Sequence, residues 1–156
     1  MKKDAIKRIA LVANLLMLAA VVRGQYTNPV LNKDMPDPSV VRAPDGQFYV
    51  YATEGGGLCV PIYKSRDLAT RWRFVGSAFN SSTRPTFIKG GNIWAPDINY
   101  INGQFVLYYS MAEWGEEWNC GIGVATSSSP RGGFVDKGKL FTSTEIGVQN
   151  SIDPCF

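Results

Sequence analysis

Three aspartates stand at the openings of extended segments. Asp37 lies in Met-Pro-Asp-Pro-Ser (35–39), Asp97 in Trp-Ala-Pro-Asp-Ile (94–98) and Asp153 in Asn-Ser-Ile-Asp-Pro (150–154). Pro36 and Pro38 bracket Asp37, and Pro38 disfavours the helical region for the residue before it, so Asp37 is expected to be extended. Trp94 stands three residues ahead of Asp97. Carboxyl groups around an aromatic face suit a sugar. The ring stacks on the indole, and two carboxyl groups can do acid/base work on a glycosidic bond. If that chemistry inverts the anomeric centre, the pair stands roughly 6.5–9.5 Å apart, leaving room for the attacking water.

Such groups need a scaffold that repeats, and the sequence does repeat. After Asp37 come a short apolar run, Asp45-Gly46, and Phe48-Tyr49-Val50-Tyr51. After Asp97 come Ile98 to Ile101, Asn102-Gly103, and Phe105-Val106-Leu107-Tyr108. Asp-Gly and Asn-Gly between apolar runs predict hairpins with type I′ turns, which need positive φ at both central residues. Farther on, Ser65, Gly76 and Phe79 match Ser127, Gly138 and Phe141 at a constant shift of 62. The hairpins are shifted by 57, and the difference is assigned to a longer loop, Glu113 to Glu117. Each unit reads as four short strands, and no helical period of useful length follows residue 24. Four-stranded units at this spacing predict an all-β propeller, with one blade from Met35 to about Phe79 and a second from Ile93 to about Phe141. The mouths of the innermost strands, with Asp37, Asp97 and Asp153, should converge on the axis.

Composition narrows the chemistry. The 156 residues include no histidine, which excludes Ser-His and Cys-His catalysis and histidine-ligated zinc within this chain. Lys2, Lys3, Lys7 and Arg8 precede an apolar run from Ile9 to Val22, and small residues follow before Gln25. Residues 1–24 therefore read as a secretory signal peptide, with an uncleaved membrane anchor as the alternative. Residues 25–156 carry eleven basic and twelve acidic side chains, a net charge of −1. The surplus of positive charge belongs to the leader, so neither a nucleic-acid partner nor, after cleavage, a membrane is expected. A secreted or periplasmic protein follows. Cys59, Cys120 and Cys155 show no metal-ligand spacing. Buried free thiols are favoured over a Cys59–Cys120 disulfide.

Taken together, the three aspartate motifs resemble the first three blade openings of glycoside hydrolase family 43. That family comprises the five-bladed propellers of arabinanases, α-L-arabinofuranosidases and β-xylosidases. The resemblance implies that Asp37 is the general base that activates water. It implies that Asp153 orients the general acid and tunes its proton affinity, and that Trp94 and Asp97 face the sugar. The partner would be a plant polysaccharide or oligosaccharide, with arabinan preferred over xylan. Some members hold a calcium on the propeller axis, an expectation for the full-length enzyme, but this chain shows no ligand set for a metal or cofactor. The family's general acid is a glutamate one blade beyond the Ile-Asp-Pro motif. Glu54, Glu113, Glu116, Glu117 and Glu145 match no such motif, so none is assigned. The chain thus reads as about two blades and the start of a third, residues 25–156 being the N-terminal part of a larger enzyme. Taken alone, this part is expected to be inactive and prone to associate. The alternative is a non-catalytic carbohydrate-binding propeller that holds its sugar on Trp94, Trp114 and Trp118.

Overall fold

A computed structural model describes residues 27–156. The leader assigned to residues 1–24 lies outside them. Eight strands form two antiparallel sheets. The first holds β1 (Ser39–Arg42), β2 (Phe48–Tyr51), β3 (Cys59–Ser65) and β4 (Arg73–Phe79). The second holds β5 (Asn92–Ile101), β6 (Gln104–Ala112), β7 (Cys120–Ser127) and β8 (Val135–Thr142). Spatial order equals chain order in both, as in a propeller blade. One short helix, α1 (Ser143–Ile146), follows β8, an element that periodicity did not announce. A capping box starts it. The Thr142 side chain accepts from the Glu145 amide, and the Glu145 carboxylate accepts from the Thr142 amide at 2.9 Å.

Aromatic and β-branched side chains fill the space between the sheets. Tyr49, Tyr51 and Ile62 of the first meet Ile98, Leu107 and Tyr109 of the second in one buried cluster. Phe79 packs edge-on against Tyr109, with centroids 5.6 Å apart, and Phe134 packs at right angles to Tyr51 at 5.9 Å. The buried hydroxyls are satisfied: Tyr51 donates to the Pro130 carbonyl at 2.7 Å and Tyr109 to Asp136 at 2.6 Å. Burial drives both phenols well above their usual titration range.

The two hairpins differ from each other. Asn102 and Gly103 have φ of 49° and 83° and join Ile101 to Gln104 in a two-residue turn, as expected. The first turn is longer. The Ala43 carbonyl accepts from Gly46 at 2.9 Å, the Ala43 amide donates to Gln47 at 2.9 Å, and only Gly46 (φ 77°) is left-handed. Pro44 is the reason. Its ring fixes φ near −65°, which a type I′ turn cannot use, so the chain makes a three-residue loop.

The five extra residues of the second unit also fall differently from expectation. Tyr51 pairs with Ile62, and its counterpart Tyr108 pairs with Val124. The second hairpin extends its ladder to Ala112↔Cys120 and carries Trp114 on its tip, 85% exposed. All three cysteines are free. Cys59 and Cys120 both open the third strand of their sheets, but only Cys120 is buried; Cys59 is half-buried and Cys155 exposed. Cys155 lies beyond the second sheet, where no described strand covers it.

Candidate active site

The sequence motifs come together at one end of the two sheets, and the backbone brings them there in a repeating way. Asp37 precedes Pro38, Ala95 precedes Pro96 and Asp153 precedes Pro154. All three have positive φ, of 50°, 39° and 58°. Asp37 is therefore left-handed rather than extended. The proline that follows blocks the right-handed helical region, and aspartate tolerates the left-handed one because its short polar side chain can bond locally.

This alignment puts Ala95, not Asp97, at the place of Asp37 and Asp153. Strand register agrees: Ser39 pairs with Tyr51, and Asp97 pairs with the equivalent Tyr108. Asp97 is thus the counterpart of Ser39, two residues deeper. The ladder slips between Trp94↔Ser110 and Asp97↔Tyr108, a bulge at Ala95-Pro96 that re-aims the strand.

Two hydroxyls stitch the openings together. Thr53 Oγ1 donates to Asp37 Oδ2 at 2.7 Å and accepts from the Ala95 amide at 2.8 Å. One sheet later, Ser110 Oγ accepts from the Asp153 amide at 2.8 Å. Ser110 is the register partner of Trp94. A continuous path therefore runs from Asp37 through Thr53, Ala95, Trp94 and Ser110 to Asp153. A second layer repeats beneath it. Ser39 Oγ accepts from Ile98 N at 3.1 Å, and Asp97 Oδ2 accepts from Phe156 N at 2.8 Å. Asn99 also donates to Asp97 Oδ2, at 2.9 Å. That carboxylate oxygen is engaged in holding the segment after Asp153 against β5.

Asp37 and Asp153 are exposed, while Trp94 is half-buried. Trp114 meets the Trp94 ring at 5.7 Å with planes at 65°, so the two indoles form an angled wall. Behind it, Glu54 holds Arg84 by two bonds, 3.1 Å to Nε and 2.9 Å to Nη2, and Arg84 also donates to the Gly91 carbonyl at 2.7 Å. The pairing raises the guanidinium's proton affinity further. It ties the residue after Thr53 to the segment entering β5. Among the described residues no three His, Cys, Asp or Glu side chains gather as ligands for a cation.

Thr53, Ser110 and the Arg84–Glu54 pair were not singled out by sequence. The signal for the first two was present: in each blade a hydroxyl residue stands two places after the tyrosine that ends the shared aromatic run, Tyr51-Ala52-Thr53 and Tyr108-Tyr109-Ser110.

Known proteins resemble this chain in sequence and fold. The probable arabinan endo-1,5-α-L-arabinosidase C of Aspergillus clavatus is 34% identical over 148 residues, covering 91% of this chain and 45% of that protein. The extracellular endo-α-(1→5)-L-arabinanase 1 of Bacillus subtilis is 34% identical over 154 residues, covering 93% and 46%. Among solved structures, the native Bacillus subtilis arabinanase superposes with a TM-score of 0.67 at 32% identity, covering 79% of this chain and 43% of that one. The Cellvibrio cellulosa α-L-arabinanase complexed with arabinohexaose gives 0.64 at 33%, covering 78% and 40%. This chain spans less than half the length of these relatives. The two sheets described here are blades of the five-bladed propeller that these arabinanases form. Residues 26–156 match the description Glycosyl hydrolases family 43, and the chain belongs to that family.

Proposed function

We propose that the protein carrying this chain is a secreted inverting glycosidase that cleaves α-1,5-linked arabinan. Asp37 is the general base, and Asp153 orients the general acid. The observation that supports the reading is the path Asp37–Thr53–Ala95–Trp94–Ser110–Asp153, which links two exposed carboxylates through the strand that carries a tryptophan. Thr53 donates to one oxygen of Asp37, which leaves the other to accept a proton from water. Trp94 and Trp114 offer aromatic faces to a furanose, and Asp97 steadies the floor beneath them. The arabinan preference rests on the names of the relatives, and secretion on the basic, apolar leader together with the extracellular Bacillus subtilis relative.

Asp37→Ala in the full-length protein is the test. The expected result is loss of arabinan hydrolysis by about a hundredfold or more, with oligosaccharide binding kept. The exposed Trp114 supports a second reading, a propeller that binds sugar without cleaving it. Equal behaviour of Asp37→Ala and the parent would select that one.

A further inference from the structure

We propose that a cationic cleft at the opposite end of the first blade binds a carboxylate-bearing polysaccharide, a chain of uronic acids. The cleft lies where β3 ends and β4 begins, at the far end of the sheet from Asp37. It encloses about 510 Å³, and Lys64, Arg66, Arg71 and Arg73 line it with Gln47 and a single carboxylate, Asp67. The cluster stands against an acidic background: apart from these five charged residues, residues 25–156 carry seven basic and eleven acidic side chains.

The second blade supplies an internal control. Its loop after β7 is built on the same latch: Ser127 Oγ donates to the Gly132 carbonyl at 2.9 Å and accepts from Ser129 N at 3.0 Å. In the first blade Ser65 Oγ donates to the Thr70 carbonyl and accepts from Asp67 N at 3.3 Å. The serine latches correspond at the shift of 62, which sets Arg71 against Gly133 and Arg66 against Ser128, although Leu68 is left-handed where the second loop has Pro130. Both Arg71 and Gly133 are left-handed, with φ of 56° and 69°. Glycine adopts that conformation freely and arginine does not. The first blade thus carries a charged, strained residue where the fold asks only for glycine, and such outliers point to function.

The cations are also left available. Among the described residues, no ion pair or hydrogen bond joins a carboxylate to Arg66, Arg71 or Arg73. Asp67 is occupied within its own loop. Its Oδ1 accepts from Ala69 N at 3.1 Å and Thr70 N at 2.7 Å, and its Oδ2 from Thr70 Oγ1 at 2.8 Å. Lys64 is felt by Asp45, whose own oxygens take the Gln47 and Tyr49 donors. The three arginines form the heart of the site. A guanidinium presents a planar fork that matches a carboxylate in pairs of bonds. Several of them around one open cleft suit repeated carboxylates along a chain. The choice of a sugar acid rests on the reading of the protein as a polysaccharide-binding enzyme.

The experiment is calorimetric titration of the full-length protein with an oligogalacturonate, its methyl ester, a neutral arabino-oligosaccharide and inorganic phosphate. The parent should bind the free acid and release it with added salt, and should not bind the ester at this cleft. Arg71→Gly should weaken binding by roughly tenfold or more while melting no earlier than the parent, because glycine relaxes the left-handed position. Arg66→Gln should weaken it as well. Arabinan hydrolysis should be unchanged in both variants. Binding of oligogalacturonate that survives Arg71→Gly and Arg66→Gln would overturn the proposal. So would phosphate competing as well as the sugar acid, which would make this a phosphate site. The binding readout does not need turnover, so a parent without hydrolytic activity would refute the arabinanase reading and leave the cleft still tested.

Discussion

The hydroxyl of Thr53 donates to Asp37 Oδ2 at 2.7 Å while it accepts the Ala95 amide at 2.8 Å. One side chain thereby fixes the rotamer of an exposed carboxylate and the approach of the next blade. Thr53→Val keeps the shape and removes both bonds. It should lower kcat by about tenfold to a hundredfold with little change in KM, since the proposed base is misplaced and the proposed sugar wall is not. It should also cost about 1–3 kcal/mol of stability, from the stranded Ala95 amide. Thr53→Ser should restore most of both. A Thr53→Val enzyme with the parent's kcat would refute the positioning role.

Arg84 joins Glu54 on one side and the Gly91 carbonyl on the other, with both charged side chains largely covered. Glu54→Gln should destabilise the protein by about 2 kcal/mol, because the guanidinium loses its charged partner but not its carbonyl. Urea unfolding measures this, and an unchanged midpoint would contradict it.

Gly123 of β7 faces the ring of Tyr109, and a Cβ there would meet Tyr109 Cζ at 2.4 Å. The ring cannot retreat, because it is fully buried and its hydroxyl is bonded to Asp136. Gly123→Ala should therefore cost about 1–3 kcal/mol by overpacking. Gly103→Ala, where nothing lies within 4 Å of the added carbon, should show only the smaller strain of its left-handed backbone. Thermal melts of the two variants compare them directly.

The Thr70 hydroxyl and amide, the Ala69 amide and Ser65 together hold the Asp67 carboxyl at about 2, below its ordinary 3.8. The folded value is depressed, so the ionised carboxylate supports its loop above the ordinary value. That support fades as pH falls through about 2. Amide exchange at Ala69 and Thr70 should stay slow at pH 5 and accelerate between roughly pH 4 and 2, beyond the change seen at other loop amides. Asp67→Asn should show fast exchange at every pH.

How much of this was legible depended on the kind of interaction. The hairpins announced themselves through Asp45-Gly46 and Asn102-Gly103, and the register of Phe48 with Ser65 recurs as Phe105 with Ser127. Four strands per blade followed from turn spacing. The phase of the openings did not. Asp37, Asp97 and Asp153 look alike in sequence, but backbone conformation and strand pairing show that Asp97 shares the place of Ser39. Pro44 altered the first turn because one ring outweighs the preference of the Asp-Gly pair beside it. Thr53 and Ser110 carry long-range bonds that no local pattern encodes, and their equal spacing from Tyr51 and Tyr108 gains meaning only once the sheets are adjacent.

The stitches between openings run in one direction. Thr53 on the first sheet receives the Ala95 amide of the second, and Ser110 on the second receives the Asp153 amide beyond it. Each opening is thus finished by the sheet synthesised before it, so blades can be added to a growing chain in order, every newcomer seated by its elder. The opening at Asp37 is the exception, since no sheet precedes β1 among the described residues. Carried around a closed ring, the same rule gives its amide to the last sheet to leave the ribosome. Closure would then add a partner for the Asp37 backbone to the one that Thr53 already gives its carboxylate.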